Sequence, residues 1–171
     1  MDKENIRKTE KAKIEPNKGF TLIEVLVVVG IIAVLSAIVL VAVNPARQFK
    51  LARDSQRTSN VNTILNAIHQ NMSEHRGTFV CGGTVRAIPT NPTRIMKGAG
   101  FPTYDGDIAS CLVSDYVSAL PFDPSLPGAH YTDTSDYDTG YEFFRDGSGR
   151  ITASSTGELV PTISVTRCAA A

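Results

Sequence analysis

Twenty-four consecutive residues, Phe20 to Val43, read FTLIEVLVVVGIIAVLSAIVLVAV and hold a single ionisable side chain, Glu24. As a continuous helix the run rises about 36 Å, against about 30 Å for the hydrocarbon core of a bilayer. A secretory h-region is shorter, about 7–15 residues, and ends at an A-x-A-like site. No such site follows Val43. By length alone the run therefore reads as a signal anchor. Nearly all the strong hydrophobicity of the chain is concentrated there, and the remainder is polar and rich in Thr, Ser, Asp and Gly.

The residues before the run are charged. Residues 1–19 carry six Lys/Arg against four Asp/Glu, and Pro16, Asn17 and Gly19 discourage helix continuing into the apolar segment. Across the whole chain 17 Lys+Arg balance 17 Asp+Glu. That neutrality argues against a nucleic-acid partner, which selects a basic excess.

Beyond the run the pattern changes twice. Asn44-Pro45 should open the helix locally, because Pro45 has no N–H for the carbonyl of Val41. Val61, Ile64, Leu65, Ile68 and Met72 then recur at the spacing of an amphipathic helix, which Gly77 should end with His75 and Arg76 in its last turn. Residues 77–106, rich in Gly, Pro and Thr, read as an irregular connection. Asp107 is placed to cap a short helix from Ile108 to about Val117. Strand patterns follow at Ala129–Thr134, Gly140–Arg145, Arg150–Ser155 and Thr162–Arg167, with Asp146-Gly147-Ser148-Gly149 as a hairpin turn. The expected fold class is α+β: a long N-terminal helix, half transmembrane and half amphipathic, packed on a small antiparallel β-sheet of three or four strands. The expected divisions are 1–19 leader, 20–43 transmembrane helix, 44–76 amphipathic continuation and 77–171 globular head.

The junction Lys18-Gly19-Phe20-Thr21-Leu22-Ile23-Glu24-Val25-Leu26 resembles the class III signal sequence of type IV prepilins and pseudopilins. That pattern has a short basic leader ending in Gly, a Phe-like residue, and Glu as the fifth residue after the cut. The close resemblance covers about residues 14–76. Less specifically, Tyr116, Leu120-Pro121-x-Asp123-Pro124 and the hairpin resemble the small-sheet heads of pseudopilins and some pilins. The resemblance implies cleavage between Gly19 and Phe20 by a prepilin peptidase, with the leader cytoplasmic and the head outside, then methylation of the new Phe20 amine. It also implies that Glu24 meets the amine of a neighbouring copy during assembly. An intramembrane carboxylate costs about 2.5–3.5 kcal/mol at the bilayer centre and less near an interface. Read from the residue alone, Glu24 could instead be protonated or snorkel to the head groups. Implied partners are other copies of the chain, related minor pilins, the peptidase, an inner-membrane assembly platform and lipid. The alternatives are a pseudopilin of a type II secretion-like system and a signal-anchored protein that never polymerises. Arg47, Lys50, Arg53 and Arg57 flank the far side of the run, so positive-inside counting supports the orientation only mildly.

No enzyme motif and no cofactor motif is found. Cys81, Cys111 and Cys168 form no C-x-x-C pair, and three disulfide pairings are open among them. Cys81–Cys111 is the favoured one, because it closes the connection least able to order itself by burial; three reduced thiols are the alternative. Asp133, Asp136 and Asp138 form a weak calcium candidate, suggested by the calcium loops of some pseudopilins, although an EF-hand spacing is lacking. A solvated turn is the preferred reading of these three. His69 is expected on the exposed helix face, and Tyr141, Phe143 and Phe144 in the sheet core.

Overall fold

The computed structural model describes residues 19–97 and 106–168, so the leader apart from Gly19 lies outside the described residues. Helix α1 spans Leu22–Val43, and none of its residues is buried among the described residues. Its mean hydropathy reaches 3.2, which together with its 22 residues makes it long and apolar enough to cross a membrane. Helical geometry stops at Asn44, which takes a left-handed conformation (φ 46°, ψ 76°). Pro45 explains this: it disfavours the right-handed helical region for the residue before it, and asparagine is among the few side chains that enter the left-handed region readily. Pro45 itself is the first residue of α2, where a missing N–H costs nothing.

Residues 45–168 form the second unit. Helix α2 spans Pro45–Glu74 and buries Val61, Ile64, Leu65, Ala67, Ile68 and Met72 along one stripe. It ends two residues before the expected Arg76. Arg76 is left-handed (φ 55°), and the Gly77 N–H donates to the Met72 carbonyl at 2.8 Å, a Schellman closure that takes over the helix end. Buried Asn71 also lies on this stripe. Its amide donates to the Val80 carbonyl and accepts from the Val80 N–H, each at 2.9 Å.

The described part of the connection, residues 77–97, is more ordered than its composition suggests. It contains β1 (Val80–Cys81), β2 (Thr84–Val85) and β3 (Thr93–Met96), and β1 and β2 form a small hairpin. A disulfide joins Cys81 to Cys111 with Cα atoms 4.6 Å apart, and Cys168 is free and exposed. The short helix is only α3, Ala109–Leu112. Asp107 does not cap it: Ile108 is the N-cap residue and makes no side-chain cap bond. The Asp107 carboxylate instead accepts from the Tyr137 hydroxyl at 2.8 Å and from Lys97 at 2.7 Å.

Among the described residues the sheet has five antiparallel strands, one more than the larger expected count. β4 (His130–Asp133), β5 (Asp136–Arg145), β6 (Ile151–Thr156) and β7 (Thr162–Arg167) are joined by β3, and the order runs β3-β5-β6-β7, with β4 also paired to β5. β3 escapes sequence reading because four residues behind Pro92 show no alternation long enough to count; β5 recruits them by offering an open edge. In β5 the register shifts opposite β3, and Gly140 takes φ 75° there. A Cβ at Gly140 would lie 2.7 Å from the Leu126 side chain, so this glycine lets the 121–127 segment approach the sheet. Asp146 accepts from the N–H groups of Ser148 (2.9 Å) and Arg150 (2.8 Å), closing the β5–β6 turn. The stripe of α2 packs on β6 and β7, with Tyr137, Tyr141, Phe143, Ile151 and Ala153 in the core. Phe144 is only half-buried, since it lies on the other face of β5 from Phe143.

Candidate functional site

Gly19 and Phe20 lie outside the helix, and Thr21, its N-cap, is extended (φ −81°, ψ 150°). A Cβ at Gly19 would meet nothing within 4 Å, and Phe20 is 84% exposed. The junction is therefore an open, non-helical stretch ending at a helix start. Thr21 and Glu24 make a reciprocal capping box: Thr21 Oγ1 accepts from the Glu24 N–H at 3.2 Å, and Glu24 Oε2 accepts a long bond, 3.5 Å, from the Thr21 N–H. Sequence reasoning passed over Thr21, although T-x-x-E before an apolar run is the signature of this cap. Among the described residues no cation pairs with the Glu24 carboxylate. It also lies in the first turn of α1, where the helix dipole favours negative charge.

The second constellation belongs to the head, and sequence reasoning noted Arg57 only as a flanking charge. Arg57 is 3% exposed. Its Nε and Nη2 donate to the two Asp123 oxygens (2.7 and 3.1 Å), Nη1 to Asp54 (2.6 Å) and Nη2 also to Ser125 Oγ (2.6 Å). Asp54 in turn accepts the N–H groups of Glu158 and Leu159 (both 2.8 Å) and of Val160 (3.3 Å). Arg53 grips both oxygens of Glu158 at 2.5 and 2.6 Å. The start of α2 thereby holds the 121–127 segment and the β6–β7 turn through charge-assisted bonds. These bonds pull the Asp54 carboxyl down to about 2, led by the backbone N–H of Glu158, and Glu158 down to about 2, led by Arg53. The Arg57 guanidinium is raised, with Asp123 the main cause. Every strong donor and acceptor is matched, so the cluster is a structural clamp. No signal short of the fold would have paired Arg57 with Asp123, 66 residues away.

The calcium candidates do not converge. Asp133 accepts from Ser135, Asp136 faces His130 Nε2 at 3.1 Å, and Asp138 takes the Arg94 guanidinium at 2.7 Å. Three carboxylates turned to three separate partners do not offer the several converging oxygens a calcium ion needs, and no group of three metal-ligating side chains is found among the described residues. His69 is not on an open face. It is half-buried, its Nε2 is buried without a hydrogen-bond partner, and desolvation, helped by Arg167, lowers its pKa. Position 69 falls beside Ile68 on the edge of the apolar stripe, where the sheet covers it.

No curated protein and no solved structure is significantly similar to this chain. Residues 16–40 match the family model of the prokaryotic N-terminal methylation motif, so the chain carries the class III signal sequence of type IV pilins and pseudopilins.

Proposed function

We propose that the chain is a prepilin, the precursor of a structural subunit of a type IV pilus-like filament, with no catalytic role of its own. The observation that carries this reading is the open Gly19–Phe20 junction set directly before a capped apolar helix that buries nothing within its own chain. A peptidase needs an extended, uncovered segment, and Gly19 supplies it. Cleavage leaves a cationic amine on Phe20, four residues before Glu24, and methylation keeps the charge. In the filament the amine of one copy meets Glu24 of another, which offsets desolvation and selects axial register. The long 3.5 Å bond to the Thr21 N–H is a weak competitor for that carboxylate.

The leader is cytoplasmic and the head lies on the other side of the membrane. Mass spectrometry of the N-terminus tests the reading. Mature protein should begin at a methylated Phe20, and Gly19→Leu should leave the precursor uncut. A retained Met1, or a cut beyond Val43, would instead favour a signal-anchored protein. Imaging of surface filaments separates a pilus subunit from a secretion pseudopilin.

A further inference from the structure

β7 is an outermost strand: it pairs with β6, and no strand among the described residues lies on its other edge. In an antiparallel ladder every second residue of such a strand directs its N–H and C=O outward. β7 carries none of the devices that usually blunt an edge. Its six residues keep one unshifted register with β6, include no proline, and hold a single charge, Arg167, at the last position. β3 is outermost on the opposite side of the sheet. Its register against β5 shifts, since Arg94 and Met96 are two residues apart and their partners Glu142 and Asp138 are four apart. The extra residues belong to β5, so β3 itself carries no bulge.

Each strand in the order β3-β5-β6-β7 is antiparallel to the one before, so β3 and β7 run in opposite senses. A second copy shifted sideways along the sheet without rotation therefore sets its β3 antiparallel to β7 of the first. Every α2 then points the same way, as a head-to-tail filament requires. Two-fold pairing of β7 with β7 would instead reverse α2, which packs on the sheet face, from one copy to the next. The faces match as well. Ile163 and Val165 lie on the core face of β7, as Ile95 does on β3. Two registers overlap all four residues of β3 and keep core face beside core face. Ile95 falls opposite Ile163 in one and Val165 in the other, and Arg167 falls opposite Asn91 or Thr93, never a cation. We propose that β7 of one subunit pairs with β3 of the next, so that the sheet continues from head to head by strand addition. The proposal rests on the reading of the chain as a filament subunit, and it names the surface through which neighbouring heads meet.

The test uses filaments assembled from the full chain in a Cys168→Ser background, where Cys81 and Cys111 are held as a disulfide. Ser164→Cys on β7 and Met96→Cys on β3 place their thiols on the same face of the sheet. Within one copy three strand spacings, about 14 Å, separate these strands, so a shorter bis-maleimide joins them only between copies. The double variant should give a ladder of covalent dimers, trimers and longer multimers, and neither single variant should give any. Dimers from Ser164→Cys alone would overturn the proposal in favour of two-fold β7 pairing, and filaments without a ladder would overturn it outright. Amide exchange on the unmutated chain supplies a second measurement. Residues 162–166 should exchange on the order of tenfold more slowly in filaments than in the subunit in detergent. Equal rates in the two states would also overturn the proposal. A chain that forms no filaments defeats the prepilin reading first, and this proposal with it.

Discussion

Glu24 on α1 and Arg57 on α2 are both charges on a long helix, yet their surroundings are opposite. Among the described residues Glu24 has only the capping box with Thr21, and no residue of α1 is buried. Arg57 is buried, and its donors are taken up by Asp54, Asp123, Ser125 and Glu158 of the same chain. The charge cluster of the head thus finds its partners within the chain, whereas α1 leaves its apolar surface uncovered by the described residues; on the proposed function that surface meets lipid first and neighbouring copies afterwards. A charge whose partners lie within the chain serves the fold. On the proposed function, a charge left with one weak local bond at the end of an uncovered helix serves assembly.

The sharpest way to break the comparison is Glu24→Val. Membrane insertion should be unchanged or improved, since a polar cost is removed, and the melting of the head should not move. Filaments should be lost or strongly reduced when counted by electron microscopy. Wild-type number and length would sink the assembly role. The mirror experiment is Arg57→Met, which strands Asp54 and Asp123 without their cation. Breaking such a buried pair costs about 3–5 kcal/mol, read as a lower denaturant midpoint of the head, while cleavage at Gly19 should proceed normally.

Cys81→Ser with Cys111→Ser should destabilise the head by about 3–4 kcal/mol on the chain-entropy account of a 30-residue loop, and leave α1 helical by circular dichroism. The smallest effect is acid sensitivity. Asp54 and Glu158 have folded-state values near 2, below their ordinary 3.8 and 4.5. The unfolded chain therefore binds more protons between about pH 4.5 and 2, and the stabilisation present above that window is lost as pH falls through it. His69 acts in the same direction at higher pH: its lowered value means that protonation below about 6.5 disfavours the folded head. Denaturant midpoints measured from pH 7 to 2 should fall in two steps, and His69→Asn should remove only the upper one.

What was legible in the sequence was whatever depends on near neighbours. The apolar run, the break at Asn44-Pro45, the stripe from Val61 to Met72 and the strands near β4, β6 and β7 are all statements about residues within a few positions of each other. The hairpin turn at Asp146–Gly149 is of the same kind, because Asp146 bonds N–H groups two and four residues on. The methylation motif is a contiguous string for the same reason, since a peptidase reads a short linear segment. Thr21 is legible in the same way, as the first residue of T-x-x-E.

What only the tertiary structure decided has long sequence separations. β3 is a strand because β5 lends it an edge, and Asp107 serves Tyr137 and Lys97 in preference to the helix beside it. His69 is half-buried because a sheet folds over its face, and the calcium candidates are dispersed because Arg94 and His130 reach two of them first. Arg57 had many carboxylates to choose from. It takes Asp123 because the bulge at Gly140 admits the 121–127 segment, and it takes Asp54 because the two share a helix stripe. Local periodicity determines which face of an element is apolar. Which charge meets which is settled only when packing removes water from a particular pair, and the chain alone does not say where that happens.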